Sequence, residues 1–361
     1  MEKQNIILAA SAAFVIALVI SYLLTPYAKK LAYKIGAIDI PKDNRRVHKE
    51  PMPRLGGIAI YSAFVITAIV MAVFNPNMHL NSEFKGILIG VTIIVMIGIV
   101  DDVKQISAKY KLAAQIVAAL IVVYSGVTID FINFPLVKSE SGYVFLKALK
   151  IPMTIFWIVG ITNTVNLIDG LDGLAAGVSA IASLSLAAVA YNIGQYNVAI
   201  LLAILAGASS GFLPYNFNPA QIFMGDTGSL AIGFLLATIS VEGVIKKAAT
   251  IAVAIPVLAL GVPIFDTTFA IIRRLLNGRP IMEADKGHLH HRLLDHGFSQ
   301  KQTVITLYAI SMVLGGSAVV VSNATSRISA YLVIAAISLL VLFGALRMGL
   351  MKKVEERKAK V

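Results

Sequence analysis

The sequence predicts an all-α fold: a polytopic bundle of membrane-crossing helices, forming one domain over residues 1–361. Three observations carry that expectation. Only 14% of the residues are charged, and the mean hydropathy is +0.82. Apolar runs near twenty residues recur along the chain, long enough for a helix to cross a hydrocarbon core of roughly 30 Å. These runs lack the polar alternation of barrel strands. Lipid-exposed backbone must satisfy its own hydrogen bonds, so the crossings are expected to be helices.

The apolar segments lie near 5–25, 55–74, 86–100, 112–129, 151–168, 173–191, 197–214, 228–241, 248–269, 304–321 and 328–347, about eleven crossings in all. The first, from Ile6 to Leu24, is too long for the apolar core of a signal peptide and is followed by Lys29, Lys30 and Lys34, so it reads as a retained crossing. Between the fourth and fifth, a polar hairpin over about 130–150 carries a strand pair in "IDFINFP" and "GYVFLK". Ser299 and Gln302 have capping-box spacing and predict the start of the tenth crossing. An odd number of crossings puts the termini on opposite sides. With the N-terminus outside and the C-terminus cytoplasmic, about 23 of the 31 Lys and Arg fall in the cytoplasm and about 8 outside. In that orientation the loops near 26–54, 101–111, 215–227 and 270–303 are cytoplasmic, and 130–150 is extracytoplasmic.

The formal charge of +12 does not indicate nucleic acid, because the basic residues sit in short loops between apolar runs. Zero cysteines exclude disulfides and thiolate metal sites. The bilayer is the partner that composition does require.

Carboxylates at a membrane edge are costly, and here they gather at segment ends assigned to the cytoplasmic face. Asp101 and Asp102 end the third crossing. Aspartate at a helix C-terminus opposes the helix dipole, so a cation is expected nearby. Asn163, Asn166, Asp169 and Asp172 follow in "TNTVNLIDGLDGLAAG", where Gly170 and Gly173 offer the break that lets these side chains converge; an interhelical polar contact is the plainer reading. "YNFNPAQIFMGDTGSL" supplies Asn216 and Asp226. Its glycines allow close backbone approach, and Thr227 or Ser229 is expected to cap the next helix, leaving free N–H groups as an anion pocket. Asp266 closes the ninth crossing, either as a further acid of the cluster or simply paired with Arg273 or Arg274 on the neighbouring turn.

Oxygen donors without cysteine favour Mg²⁺, with Mn²⁺ as a substitute. Four of the six histidines stand in "DKGHLHHRLLDHG". Adjacent His290 and His291 are expected to point apart on a helix, which argues against zinc and for imidazolium and arginine donors to a phosphate. The loop "IPKDNRRVHKEPMPRLGG" joins basic side chains to three prolines, suited either to the positive-inside rule or to a lipid phosphate at the interface.

In order, Pro-Arg-Leu-Gly-Gly, Asp-Asp, Asn-x-x-Asn-x-x-Asp-Gly-x-Asp-Gly, Met-Gly-Asp-x-Gly-Ser and His-x-His-His closely resemble the polyprenyl-phosphate N-acetylhexosamine-1-phosphate transferases, from about Lys42 to Leu294. "HLHHRLL" looks like the branch that uses UDP-GlcNAc to begin teichoic acid, O-antigen or related glycans, rather than the muropeptide branch with three uninterrupted histidines. The resemblance implies transfer of GlcNAc-1-phosphate from UDP-GlcNAc to undecaprenyl phosphate in a bacterial plasma membrane, with the site on the cytoplasmic face and a homodimer as the assembly. It implies Asp226 and Asn166 as Mg²⁺ ligands, and Asp101, Asp102, Asp169 and Asp172 as catalytic carboxylates. Asn216, His288, His290, His291 and Arg292 would hold the sugar nucleotide, and Lys49 and Arg54 the lipid phosphate. A cation-coupled transporter is the alternative of a different class, but neither internal repeats nor polar groups at mid-membrane are evident.

Overall fold

The computed structural model describes residues 3–40, 50–74, 78, 81–133, 143–245, 253–280, 287–324 and 326–349. Within them the protein is a helical bundle. α1 (Lys3–Ile35) is followed by α2 (Gly56–Phe74), α3 (Ser82–Lys104) and α4 (Ala108–Tyr124). α5 (Lys150–Leu167), α6 (Leu174–Asn192), α7 (Tyr196–Asn216) and α8 (Gly225–Ser240) make the middle of the chain. α9 (Ala254–Ala259), α10 (Gly261–Leu276), α11 (Leu289–Asp295), α12 (Gln300–Ser322) and α13 (Arg327–Arg347) complete it.

Among the described residues, nine helices are long and apolar enough to cross a membrane. Every one of the eleven apolar segments contains helix, and two of them lie outside these nine. α4 has 17 residues. The ninth segment is broken at Leu260, leaving a short α9 and the amphipathic α10. Hydropathy marked the segment but not the break, which falls beside Gly261 and Pro263, residues that punctuate helices without lowering apolar character much.

α8 is the central helix. Every residue from Thr227 to Ser240 is buried, packed among α2, α3, α5, α6 and α7. A helix apolar on all sides belongs in such a position. α13 is its opposite, mostly exposed and packed chiefly on α12. α1 and α7 make the most extensive pairing. Gly207 and Gly211, one turn apart on α7, lie against the backbone carbonyls of Phe14 and Leu18, where any β-carbon would overlap them. Small residues at that spacing are the means by which helices approach closely in lipid, where the hydrophobic effect cannot drive association.

Two small antiparallel ribbons stand outside the bundle. β3 (Phe131–Asn133) and β4 (Tyr143–Phe145) pair as the sequence predicts, with Phe131 opposite Phe145. β1 (Ile38–Asp39) and β2 (Met52–Pro53) form a ribbon too short to read from sequence. The capping box at α12 is present as expected, with the Ser299 side chain accepting from Gln302 N and the Gln302 side chain accepting from Ser299 N.

Candidate active site

The ends of α3, α5 and α7 and the starts of α4 and α8 meet at one end of the bundle. Asp101 and Asp102 occupy the last turn of α3. The cation that their dipole cost demands is Lys111, in the first turn of α4. Its Nζ donates to Asp101 Oδ2 at 3.3 Å and to Asp226 Oδ2 at 2.8 Å. Lys111 was not among the residues expected to form the site, although it lies in the same stretch ten positions after Asp101. The expected dipole partner was the signal that could have found it.

Asp102 is buried, and both its oxygens are engaged. Oδ1 accepts from Asp226 N at 3.0 Å; Oδ2 accepts from Thr227 N at 3.0 Å and Thr227 Oγ1 at 2.6 Å. This corrects the expected cap and anion pocket at the start of α8. Neither Thr227 nor Ser229 caps the helix; the carboxylate of Asp102 reaches across from α3 and takes the first free N–H groups. Close packing makes this possible. A β-carbon on Gly98 would stand 2.5 Å from Thr227 Cα, and one on Gly57 would overlap the Gly228 backbone. Gly225 has φ +71, and a side chain there would strike Asp102.

The expected metal pair does meet. Asn166 Nδ2 donates to Asp226 Oδ1 at 3.0 Å and to Ser229 Oγ at 2.8 Å. One oxygen from each of Asp101, Asp102 and Asp226 falls within 4.8 Å of the others. These hard oxygen donors, bridged by the ammonium of Lys111, fit a divalent cation of the Mg²⁺ type. Asn163 is not drawn in. It exchanges hydrogen bonds with Gln115 of α4, at 2.6 and 3.3 Å, and is the interhelical contact of the plainer reading.

The turn between α5 and α6 forms one wall. α5 stops at Leu167, and Gly173, with φ +80, starts α6. Asp169 lies within this turn; burial, then the carboxylates of Asp226, Asp102 and Asp172, push its pKa up to about 7. Asp172 Oδ2 accepts from Asn218 Nδ2 at 3.0 Å and from Ala220 N at 3.1 Å. Asn218 Nδ2 also donates to Gln300 Oε1 on α12 at 2.9 Å. Asn216 is buried; it accepts from Gly173 N and donates to Ile222 O, both at 3.1 Å. Asp172 and Asn216 therefore act as struts between the two turns.

The histidine stretch stands over this turn. Leu289 packs on the core, which explains the apolar interruption in "HLHH". His288 and His290 are buried with parallel rings 5.8 Å apart. The rings of His290 and His291 lie 4.3 Å apart, tilted by 44°, and do not point apart as an ideal helix suggested. Burial, reinforced by His291, lowers the pKa of His290 to about 3. His290 is thus a neutral imidazole at neutral pH, which replaces the expected imidazolium at that position. Arg292, in the same helix, is half-buried. Of the two readings of Asp266, the simple arginine pair is not the one seen; its described partners are His288 Nδ1 at 2.9 Å and Leu289 N at 2.7 Å.

Of the two residues expected at the lipid phosphate, Lys49 lies outside the described residues. Arg54 points inward: its Nε donates to the Asp102 carbonyl at 3.0 Å, and its guanidinium lies 3.9 Å from both Asp39 Oδ1 and Asp102 Oδ1. It ties the β1–β2 ribbon to the end of α3.

Residues 84–244, which hold the carboxylate cluster and the Asp169–Asp172 turn, match the model of glycosyl transferase family 4. The chain is 42% identical over 323 residues to the probable undecaprenyl-phosphate N-acetylglucosaminyl 1-phosphate transferase of Bacillus subtilis, covering 89% of this chain and 87% of that protein. It is 34% identical to the decaprenyl-phosphate N-acetylglucosaminephosphotransferase of Mycolicibacterium smegmatis, over 81% of this chain and 77% of the relative. Against the phospho-N-acetylmuramoyl-pentapeptide-transferase of Bacillus anthracis the identity is 32%, over 87% and 97%.

Proposed function

The chain belongs to glycosyl transferase family 4 and is a multi-pass membrane phosphosugar transferase; from that premise we propose that it transfers GlcNAc-1-phosphate from UDP-GlcNAc to undecaprenyl phosphate. A phosphate oxygen of the lipid attacks the β-phosphorus of the sugar nucleotide. The bond from that phosphorus to the bridging oxygen breaks, giving undecaprenyl-diphospho-GlcNAc and UMP. The observation that carries this reading is the carboxylate cluster of Asp101, Asp102 and Asp226, with Lys111 bridging Asp101 and Asp226 and Asn166 bonded to Asp226, at the end of the bundle where the sequence motifs converge.

Two phosphate-bearing substrates repel each other, so the site must supply positive charge where they meet. Asp226 and Asn166 would hold Mg²⁺, with Asp101 beside them and Mn²⁺ as a substitute. An ion held there would neutralise charge on the diphosphate and on the departing UMP. Lys111, which donates to both Asp101 and Asp226, would add positive charge beside the phosphates. A phosphate monoester with a second pKa of roughly 6 is already largely dianionic at neutral pH, so Asp101 serves to orient the acceptor more than to deprotonate it. Asp102 fixes the turn that carries Asp226, while Asp169 and Asp172 line the wall toward the nucleotide and Asn216 braces it. His288, His290, His291 and Arg292 form a lid, in which His290 offers a neutral N–H. Lys49 and Arg54 belong to the loop that would receive the lipid headgroup.

The distribution of Lys and Arg supports a cytoplasmic site in a bacterial plasma membrane, feeding a cell-wall or surface glycan such as teichoic acid or lipopolysaccharide. A homodimer is the assembly proposed. The interrupted histidine run and the higher identity to the GlcNAc relatives favour UDP-GlcNAc over the muropeptide donor. The test is UMP release by purified protein given undecaprenyl phosphate, UDP-GlcNAc and Mg²⁺, with lipid-free and EDTA controls. Release that requires both lipid and metal supports the reaction. Release only with another UDP-HexNAc would reject the donor, and nucleotide binding without any release would reject the reaction.

A further inference from the structure

We propose that Asp266 is a positioning residue for the lid: it holds His288 and the first turn of α11 in one geometry, and so sets where His290 stands over the turn between α5 and α6. The inference rests on the reading of α11 as the nucleotide-sugar lid. Asp266 lies on α10 and is only 4% exposed. A buried carboxylate requires strong partners, and both of its oxygens are spent on one short helix. Oδ2 meets His288 Nδ1 at 2.9 Å and Oδ1 accepts from Leu289 N at 2.7 Å.

α11 has seven residues, too few for an isolated helix to hold its shape in water. Its N-cap residue, His288, makes no capping bond with its own side chain. Asp266 meets that need from a neighbouring helix. With the carboxylate on Nδ1, the His288 proton is fixed on that nitrogen and Nε2 becomes the one available to a ligand.

The orientation of His288 then passes along the stretch. His290 stacks parallel to it at 5.8 Å, with 8° between the ring planes. His290 Nε2 in turn lies against Gly170, where a β-carbon would come within 2.7 Å of it. A line of contacts thus runs from Asp266 through His288 and His290 to the turn that holds Asp169. Among the described residues, Asp266, His288 and His290 make no hydrogen bond to Asp226 or Asn166, so the effect of Asp266 is expected on the sugar nucleotide and not on the metal.

Two readouts test this. Hydrogen–deuterium exchange on the purified protein needs no substrate: in Asp266→Ala, amides of residues 288–296 should exchange on the order of tenfold faster, while those of α12 keep their protection. Kinetics supply the second. Asp266→Asn keeps the acceptor for Leu289 N but offers an amide N–H to His288 and forces the other tautomer. Its KM for UDP-GlcNAc should rise on the order of tenfold, with KM for undecaprenyl phosphate held within about twofold. In a His288→Ala background the same change should add less than about twofold, because the two residues act as one unit. Unchanged exchange in residues 288–296, or effects of Asp266→Asn and His288→Ala that multiply, would overturn the proposal. Should the wild-type protein not turn over UDP-GlcNAc, the donor reading falls, while exchange still decides the role of Asp266.

Discussion

The carboxylate floor and the histidine lid face each other across the proposed nucleotide site, and they are built in opposite ways. The floor rises from the ends of long, buried helices, and its acids are cross-braced. Asp102 of α3 caps α8, Arg54 clamps Asp102, and Asn166 of α5 supports Asp226. The lid is a seven-residue helix whose described anchor at its start is Asp266. The difference teaches that polar residue type alone does not assign a role. Within the floor some acids are structural braces and others remain for chemistry, and within the lid one histidine is committed to a carboxylate while its neighbour is buried and neutral.

The comparison can be broken most forcefully at Asp226. Asp226→Asn should lower turnover on the order of a thousandfold in an otherwise folded protein, as read by UMP release alongside circular dichroism. Asp102 should fail differently. Asp102→Ala strands the N–H groups of Asp226 and Thr227 and the buried Thr227 hydroxyl, and thermal melts in detergent should show a loss of about 3 kcal/mol. If Asp102→Ala melted like the wild type, the bracing role would be wrong.

On the lid side, His290 gives a pH test. Its folded pKa of about 3 lies below the ordinary 6.5, so the unfolded chain binds the extra proton first and stability falls as pH drops through 6.5. Measured against His290→Gln, the wild type should lose about 2 kcal/mol between pH 7.5 and pH 5. A wild-type protein that tracked the variant across that range would mean His290 is not held neutral. The smallest effect is expected beside the lid. Ser299→Ala removes the capping box of α12 and should cost about 1 kcal/mol of stability, with turnover unchanged.

Much of this was legible in the sequence. Hydropathy located the helices, the strand pair and capping box followed from local patterns, and the pairing of Asp226 with Asn166 came from the motifs and their family resemblance. What escaped was decided by tertiary packing. Lys111 was hidden because a lysine near a membrane edge looks like a topology signal. The capture of α8 by Asp102 depends on Gly57 and Gly98 of two other helices. Asp266 and His288 are separated by 22 positions, and no spacing rule joins them. The break at Leu260 was the exception, since Gly261 and Pro263 mark it in the sequence and hydropathy alone passes over them.

The central claim is that Asp226 and Asn166 hold a divalent ion while Asp172 only braces the wall. Binding of Mn²⁺, followed by electron paramagnetic resonance on the purified wild-type, Asp226→Asn and Asp172→Asn proteins, tests it most directly. The account predicts one bound ion per chain in the wild type and in Asp172→Asn, and none in Asp226→Asn. Full Mn²⁺ binding by Asp226→Asn would contradict it.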